Sequence, residues 1–519
     1  MNIASLLTQA TAAHPDNTAI VQGDYRLSYL KFEARVNRLA NALQQRGVRT
    51  HDHIALWMTN GPQMLEAMFA AFKLGAGLVP INFRLHPHEI AYIIENSQAS
   101  TLFTTEEFDK SVPDIRDLIP DVQHFITTGP TSKESHNYES LLEEEEESFS
   151  DVDVHPDDVA WLFYTSGTTG RPKGAMLTHQ NLWGMTDRFY LDICPNFSDA
   201  EVVLHAAPLS HGSGLYALPN IGKAATHVFL ESTSFDPQIA LETIAAQNVT
   251  NLFAAPAMIK RFVACPTIDQ TDTSSLQALI WGGAPMLVED LQQAIVKFPN
   301  MVQIYGLGET PMTITYLPSC DHVLEGSEQQ IKRLGSAGIC RSEVEVAIVD
   351  DKDGFLATGE KGEIVTRSEV MTKGYWRDPE ATAITLRNGW LHTGDIGYFD
   401  EDGYLFLMDR SKDLIISGGE NIYPREIEEI LAQHPAVKEV AVIGVPNSDW
   451  GEAIKAVVAR NQGHQVTEDE LIGYCKSRLA SYKKPKSVDF VAALPRNNYG
   501  KILKRELRAP YWQDRDRHI

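Results

Sequence analysis

The chain has 519 residues, 43% of them hydrophobic, which is enough for more than one domain with a substantial core. Its 45 basic and 69 acidic residues leave a net charge of −24, which argues against a nucleic-acid surface and a polybasic membrane anchor. A small anionic ligand is not excluded, because local charge can oppose the global sign.

The five cysteines, Cys194, Cys265, Cys320, Cys340 and Cys475, are scattered and form no CxxC pair. Neither a disulfide framework nor a zinc site is expected, and a reducing, cytoplasmic setting fits. Met1 to Ala13 lacks the basic start and apolar core of a signal peptide. The most apolar stretch, Met64 to Ile81, is broken by Glu66, Lys73 and glycines, so no integral membrane association is expected.

In chain order, Ser28 predicts a cap for a helix to Gln45, with Phe32, Val36, Leu39 and Leu43 at helical spacing. Ile54 to Met58 reads as a strand, Pro62 to Leu74 as a helix and Leu78 to Ile81 as a strand. That order predicts a βαβ unit in a parallel sheet. Tyr92 to Ser97 and Thr101 to Thr104 continue the alternation. Residues 131 to 150 are polar, and the run Glu143 to Glu147 reads as a solvated segment.

After the apolar run Val159 to Phe163 comes Tyr164-Thr165-Ser166-Gly167-Thr168-Thr169-Gly170-Arg171-Pro172-Lys173-Gly174, then a helix opening at Thr178. Glycines permit close backbone approach, hydroxyls and N–H groups suit phosphate oxygens, and Lys173 adds a point charge. By composition alone a polar surface loop is an equal reading. The order is not that of a Walker A loop. Val202 to Ala207 reads as a strand, followed by Pro208-Leu209-Ser210-His211-Gly212-Ser213-Gly214, where the glycines thin the backbone around His211. His205, within the strand, reads as structural.

Val249 to Ala255 and Ala278 to Trp281 read as further strands. The second ends in Gly282-Gly283-Ala284-Pro285, at the carboxyl end where open α/β sheets place ligands. Trp281 suits a ligand wall and a core filler equally. Gln303 to Thr310 reads Gln-Ile-Tyr-Gly-Leu-Gly-Glu-Thr, with a flat ring at Tyr305 and a hard oxygen ligand at Glu309. From Gly335 the chain is β-rich. Val344 to Val349, Gly362 to Thr366 and Tyr404 to Met408 read as strands, with turns at Asp351 to Gly354 and Asp400 to Gly403. Asp395 follows a Thr-Gly turn and has two acceptor oxygens suited to a vicinal diol. Asp409 to Asp413 is a short charged boundary. Beyond it lie Gly418-Gly419, a helix from Pro424 to Leu431, a strand from Glu439 to Val445, the lysine cluster Lys483-Lys484-Pro485-Lys486, and Gly500-Lys501.

These motifs, in this order and over almost the whole chain, resemble the adenylate-forming superfamily: acyl-CoA synthetases, nonribosomal-peptide adenylation domains and luciferase-like enzymes. Among them the chain most resembles bacterial fatty-acyl-CoA synthetases, with aryl-CoA ligases close behind. The resemblance implies an α/β fold with mixed α+β character in the small domain. An N-terminal domain of α/β layers plus a β-rich subdomain would span 1–409, a hinge 410–413, and a small mobile α+β domain 414–519. It implies ATP and Mg2+ as cofactors and CoA as co-substrate.

By the same resemblance, ATP or AMP is held by Thr165, Ser166, Gly167, Thr168, Thr169, Gly170, Lys173, Gly283, Ala284, Pro285, Gln303, Tyr305, Gly306, Gly308, Glu309, Thr310, Asp395, Arg410 and Lys501. Thr165 and Glu309 would position the metal. His211, Gly212, Trp281, Gly282, Gly283, Tyr305 and Gly306 would border the acyl group. Gly418, Gly419, Trp450, Tyr482, Lys484 and Lys486 would bind CoA, although the lysines read equally as a solvated surface. Lys501 is the adenylating lysine and Lys412 the pivot. At Gly308 the family usually carries a hydroxyl residue, so a phosphate hydrogen bond is either absent here or supplied by Thr310.

The chemistry follows from a carboxylate being a poor acyl donor. Its attack on the α-phosphorus of ATP releases pyrophosphate and makes AMP the leaving group for a thiol. The expected activity is an AMP-forming carboxylate–CoA ligase. No Lys or Arg lies in Pro208 to Leu218, Trp281 to Met286 or Tyr305 to Thr313, so an apolar acid is expected. A medium- or long-chain fatty acid comes first and an aryl or phenylpropanoid acid second. A fatty acid permits peripheral membrane contact, and a homodimer is compatible with the resemblance. The rival readings are an enzyme loading a carrier protein and a non-catalytic acyl-AMP-binding protein.

Overall fold

The computed structural model describes residues 1–131, 135–166, 171–283, 286, 288–410, 415–422, 424–495 and 504–512. Two sheets form the body of a large N-terminal domain. In the seven-stranded sheet, His136–Asn137, His124–Thr127, Ala99–Thr104, His53–Trp57, Gly77–Pro80 and Val159–Ser166 run parallel, and Pro172–Thr178 closes one edge antiparallel. In the nine-stranded sheet the parallel core is Met301–Tyr305, Ala278–Gly282, Asn251–Ala254, Val202–Leu204, Thr226–Phe229 and Thr18–Gln22. Antiparallel strands flank it at both ends.

Helices Tyr29–Gln45, Pro62–Lys73, His179–Arg188 and Gly212–Gly222 fill the layer between the sheets. The first begins where expected, because the Ser28 side chain accepts from the Lys31 N–H. Phe32, Val36, Leu39 and Leu43 are fully buried in the shared core with Ile54, Leu78 and Ile280. Thr178 caps the helix after the glycine- and hydroxyl-rich signature stretch, residues 164–174, in a reciprocal capping box with Asn181. Behind the nine-stranded sheet, Trp281 and Leu252 pack on helices Pro237–Gln247, Pro256–Val263 and Val288–Lys297. Behind the seven-stranded sheet, Val79 and Leu102 pack on helix Pro87–Ser97.

A five-stranded antiparallel sheet of Glu345–Val349, Gly362–Arg367, Trp390–Phe399, Leu386–Arg387 and Leu405–Arg410 makes the β-rich part. The small C-terminal domain has its own five-stranded sheet, covered by helices Pro424–Ala432 and Glu468–Lys476 over a separate core. The fold is the mixed α/β arrangement expected, with a large N-terminal and a smaller C-terminal domain.

Two local expectations gain detail. The described parts of the signature stretch are strands, ahead of the helix that opens at Thr178. Its start extends strand Val159–Ser166, and Pro172–Thr178 returns antiparallel, pairing Thr165 with Lys173. The glutamate run is exposed but strapped along helix Tyr29–Gln45. Glu147 bonds Arg38, Glu145 accepts from Gln45, and Asn37 and Asn41 hold the backbone carbonyls of Glu146, Glu147 and Ser148.

Candidate active site

The carboxyl ends of the parallel strands of both sheets converge near Glu309 and Tyr305. Thr165, on the signature strand, donates its hydroxyl to Glu309 Oε1 at 3.2 Å, and the Tyr375 hydroxyl donates to the same oxygen at 2.8 Å. Glu309 is buried, and its carbonyl accepts the Thr372 N–H at 2.7 Å. The carboxylate is therefore fixed by two separate chain segments, at Thr165 and at Tyr375, and the second also holds its backbone carbonyl. Tyr375 also lies beneath the Lys173 ammonium, which is 5.3 Å from the ring centroid and 3.7 Å from Asp378. Nothing in the sequence around Tyr375 marks it; only the fold brings it here.

Tyr305 donates its hydroxyl to Asp395 Oδ2 at 2.7 Å, and both residues are buried. Asp395 is held in turn by its own N–H, which donates to the Thr393 hydroxyl at 3.0 Å. Arg410 pairs with Asp395 in the strand register. Gln303 is buried with its Oε1 lacking a hydrogen-bond partner among the described residues. Ring, diol-suited carboxylate and metal-suited carboxylate are thus gathered at one place.

The glycines here report close packing. A Cβ on Gly308 would lie 2.6 Å from the Phe163 ring and 2.7 Å from the Thr165 methyl, so Phe163 takes the space of the missing hydroxyl residue. Thr310 does not stand in for it. Its side chain is fully buried and exchanges hydrogen bonds with the Leu307 backbone. A Cβ on Gly306 would lie 2.4 Å from the Met312 carbonyl carbon, and Met312 itself adopts a left-handed φ of 59°. Gly283, with φ 82°, turns the strand end into open space.

His211 precedes helix Gly212–Gly222, with Phe163 edge-on at 5.9 Å and the Ser210 hydroxyl 3.0 Å from Nδ1. Asn60 clamps the approach to it, donating to the His205 and Ala207 carbonyls and accepting the Leu209 N–H. Burial lowers the His211 pKa, so the ring is held neutral. A Cβ on Gly212 would meet Met312 Sδ at 2.7 Å and Phe253 at 2.9 Å, so these two side chains enclose the space beside His211. Sequence reading missed Phe163, Phe253 and Met312, which look like ordinary apolar residues. Trp281 is not beside them. It is 1% exposed on the opposite face of its strand and donates its indole N–H to His322, so it is a core residue. Gly282 needs its missing side chain because the Ile304 carbonyl would lie 2.5 Å from a Cβ.

On the small domain, Gly418 and Gly419 have φ of 63° and 81°. The Trp450 indole covers Gly418, 2.6 Å from where a Cβ would be, yet Trp450 is 48% exposed. Gly419 faces the large domain, with Ala255 Cβ 2.9 Å from the same position. Tyr482 is half-buried against the small-domain core, and Lys486 is exposed. Lys484 bonds Ser481 of its own turn, and burial with Lys486 and Lys476 nearby lowers its pKa. Gly167, Thr168, Thr169, Gly170, Ala284, Pro285, Lys412 and Lys501 lie outside the described residues, as do the side chains of Ser166 and Arg410.

A profile of the AMP-binding enzyme family matches residues 7–376, and one of the AMP-binding enzyme C-terminal domain matches 426–501. The chain belongs to the AMP-binding enzyme family. The enzyme is therefore a member of the adenylate-forming superfamily that its motifs resemble. It is 40% identical to a feruloyl-CoA synthase of an Amycolatopsis species over 95% of this chain and 96% of that one. It is 35% identical to a long-chain-fatty-acid–CoA ligase of Mycobacterium tuberculosis over 98% of each. Among solved structures, an amide bond synthetase from Marinactinospora thermotolerans superposes with a TM-score of 0.90 at 29% identity, covering 98% of this chain and 100% of that one. Among the described residues of the enzyme, no helix is long and apolar enough to cross a membrane.

Proposed function

We propose that the enzyme, an AMP-forming acid–CoA ligase by family, activates an aryl or phenylpropanoid acid. The observation that carries the ligase reading is the pairing of two fixed carboxylates. Glu309 takes hydroxyls from Thr165 and Tyr375, and Asp395 takes the hydroxyl of Tyr305. Asp395 would accept the ribose hydroxyls, with Tyr305 against adenine and Lys173 toward the phosphates. Glu309 and Thr165 offer only oxygen donors, which fits a Mg2+ shared with ATP phosphates rather than a protein cage. Such an ion would neutralise charge on the phosphates.

In the first half-reaction a carboxylate oxygen of the acid attacks the α-phosphorus and the bond to pyrophosphate breaks. Lys501 would bridge the two anions, and preorganised donors would stabilise the charge that develops. His211, neutral beside the acyl group, would position the carboxylate. In the second half-reaction the thiol sulfur attacks the acyl carbon, AMP leaves and the thiol proton is released. Gly418 and Gly419 would admit the thiol arm. Trp450, Tyr482, Lys484 and Lys486 would hold the nucleotide end of CoA. The domain limits 1–409 and 414–519, with a pivot at Lys412, belong to this reading.

For the acid, an aromatic group is supported by the 40% identity to a feruloyl-CoA synthase and by the flat walls that Phe163 and Phe253 offer beside His211. A fatty acid is the second reading, supported by the relative of 35% identity. ATP-dependent pyrophosphate release across a panel from acetate to palmitate, with benzoate and cinnamates, with and without CoA, tests both. CoA-dependent turnover highest on a cinnamate and lost in Lys501→Ala is the expected result. A maximum on palmitate moves the fatty acid first. Pyrophosphate released once per enzyme, indifferent to CoA, points to a carrier-protein acceptor, and none with any acid to a non-catalytic protein.

A further inference from the structure

The two domains meet at a buried ion pair that the reaction chemistry does not require. Glu89 lies in the first turn of helix Pro87–Ser97, where its Oε2 accepts the His86 N–H at 2.9 Å and closes a capping box. The same oxygen accepts the Ala480 N–H of the small domain at 2.8 Å. Oε1 accepts the Lys483 ammonium at 2.7 Å, from 394 positions along the chain. The Lys483 side chain is 2% exposed and that of Glu89 9%. Close by in sequence, Arg84 faces Glu420 of the small domain at 3.7 Å.

In this arrangement the Gly418-Gly419 loop is turned toward the large domain, with Gly419 against Ala255 at the end of strand Asn251–Ala254. Phe253 of that strand encloses the space beside His211. The loop therefore faces the acyl side. A rotation of the small domain that carries Ala480 and Lys483 away from helix Pro87–Ser97 separates Glu89 from Lys483, because the two residues belong to different domains. Parting the two faces breaks this pair and the Ala480–Glu89 hydrogen bond together and returns both charged groups to water. The contact therefore favours one arrangement over another, which is the only way an interaction can shift such an equilibrium.

We propose that Glu89 and Lys483 form a latch that holds the small domain in the thiol-transfer arrangement, and that they are positioning residues for the second half-reaction. This rests on the two-step ligase reading above. Lys486 and Trp450 are exposed and Lys484 is half-buried, whereas Lys483 is turned inward. Lys483 thus acts on domain position and not on CoA itself.

The test separates the half-reactions in the full-length enzyme. Lys483→Met removes the charge and leaves the His86–Glu89 cap intact. Lys483→Arg restores a cation, and Glu89→Gln keeps a cap acceptor while neutralising the other partner. Single-turnover adenylate formation without CoA, thiolysis of the preformed adenylate by saturating CoA, and amide exchange in helix Pro87–Ser97 are measured. In Lys483→Met and Glu89→Gln, thiolysis should fall about tenfold while adenylate formation stays equal or rises. The KM for CoA should hold, exchange in the helix should quicken, and Lys483→Arg should recover most of the rate. A parallel fall in both half-reactions, or unchanged thiolysis, overturns the latch while leaving the ligase reading intact. No adenylate from the wild type with any acid overturns the ligase reading, and the latch with it.

Discussion

The side proposed for the nucleotide and the side proposed for CoA are built on opposite principles in this enzyme. Glu309, Tyr305 and Asp395 are buried and bonded to one another or to Thr165 and Tyr375 before any ligand is considered. Trp450 and Lys486 are exposed, and among the described residues Lys484 bonds its own turn. Stabilising developing charge on phosphate needs donors that do not reorganise, which favours burial and cross-bracing. Capturing a long, flexible co-substrate needs an open surface that completes itself when the domains meet.

The sharpest way to break this contrast is at Glu309. Glu309→Gln should lower kcat/KM for adenylation by about 10²–10³, with CoA saturation unchanged, by pyrophosphate release. A comparable fall in the CoA dependence would mean that the two sides are not separate. Acid should discriminate between the domains next. Burial lowers the pKa of His205 to about 3 and of His179 and His322 to about 4, and all three lie in the large domain. Their folded pKa lies below the unfolded value near 6.5, so the unfolded chain binds more protons below that pH. Their contribution is present above pH 6.5 and is lost as pH falls toward 4, at ~1.4 kcal/mol per pH unit for each. Urea unfolding at pH 7 and pH 5 should show the large domain losing its midpoint first.

Smaller effects follow from packing. Gly308→Ser, which restores the family's usual hydroxyl, should destabilise the enzyme by ~1–3 kcal/mol in thermal unfolding, because Phe163 and Thr165 already fill that space. Unchanged stability with tighter ATP would show that Phe163 yields. Trp450→Ala should raise the KM for CoA about tenfold if the indole stacks on adenine, with adenylate formation and thermal stability unaltered.

How far the sequence reached differs between the two sides for a physical reason. Ser28, Thr178 and the apolar periodicity of Phe32 to Leu43 act over a few residues, so caps and core helices were legible in the chain. The acids and rings proposed for the nucleotide were singled out in the sequence too, because phosphate, ribose and metal demand particular donor atoms, and few side chains supply them. Phe163, Phe253 and Met312 were not, since an apolar wall can be made by many residues and only distance selects which. Trp281 shows the same limit. Its period in the strand decides its face, and the sequence alone does not say which face carries the helices and which the ligand.

The amino-acid sequence by itself determined the superfamily and the α/β plan with a large and a smaller domain, and it named the donor atoms proposed for the site, because each is set by local pattern or by side-chain identity. Only the tertiary structure decided that Tyr375 braces Glu309, that Phe163 excludes a side chain at position 308, and that Lys483 turns inward to Glu89 instead of outward with Lys486. These depend on contacts between segments tens to hundreds of residues apart, and no local pattern encodes such a distance.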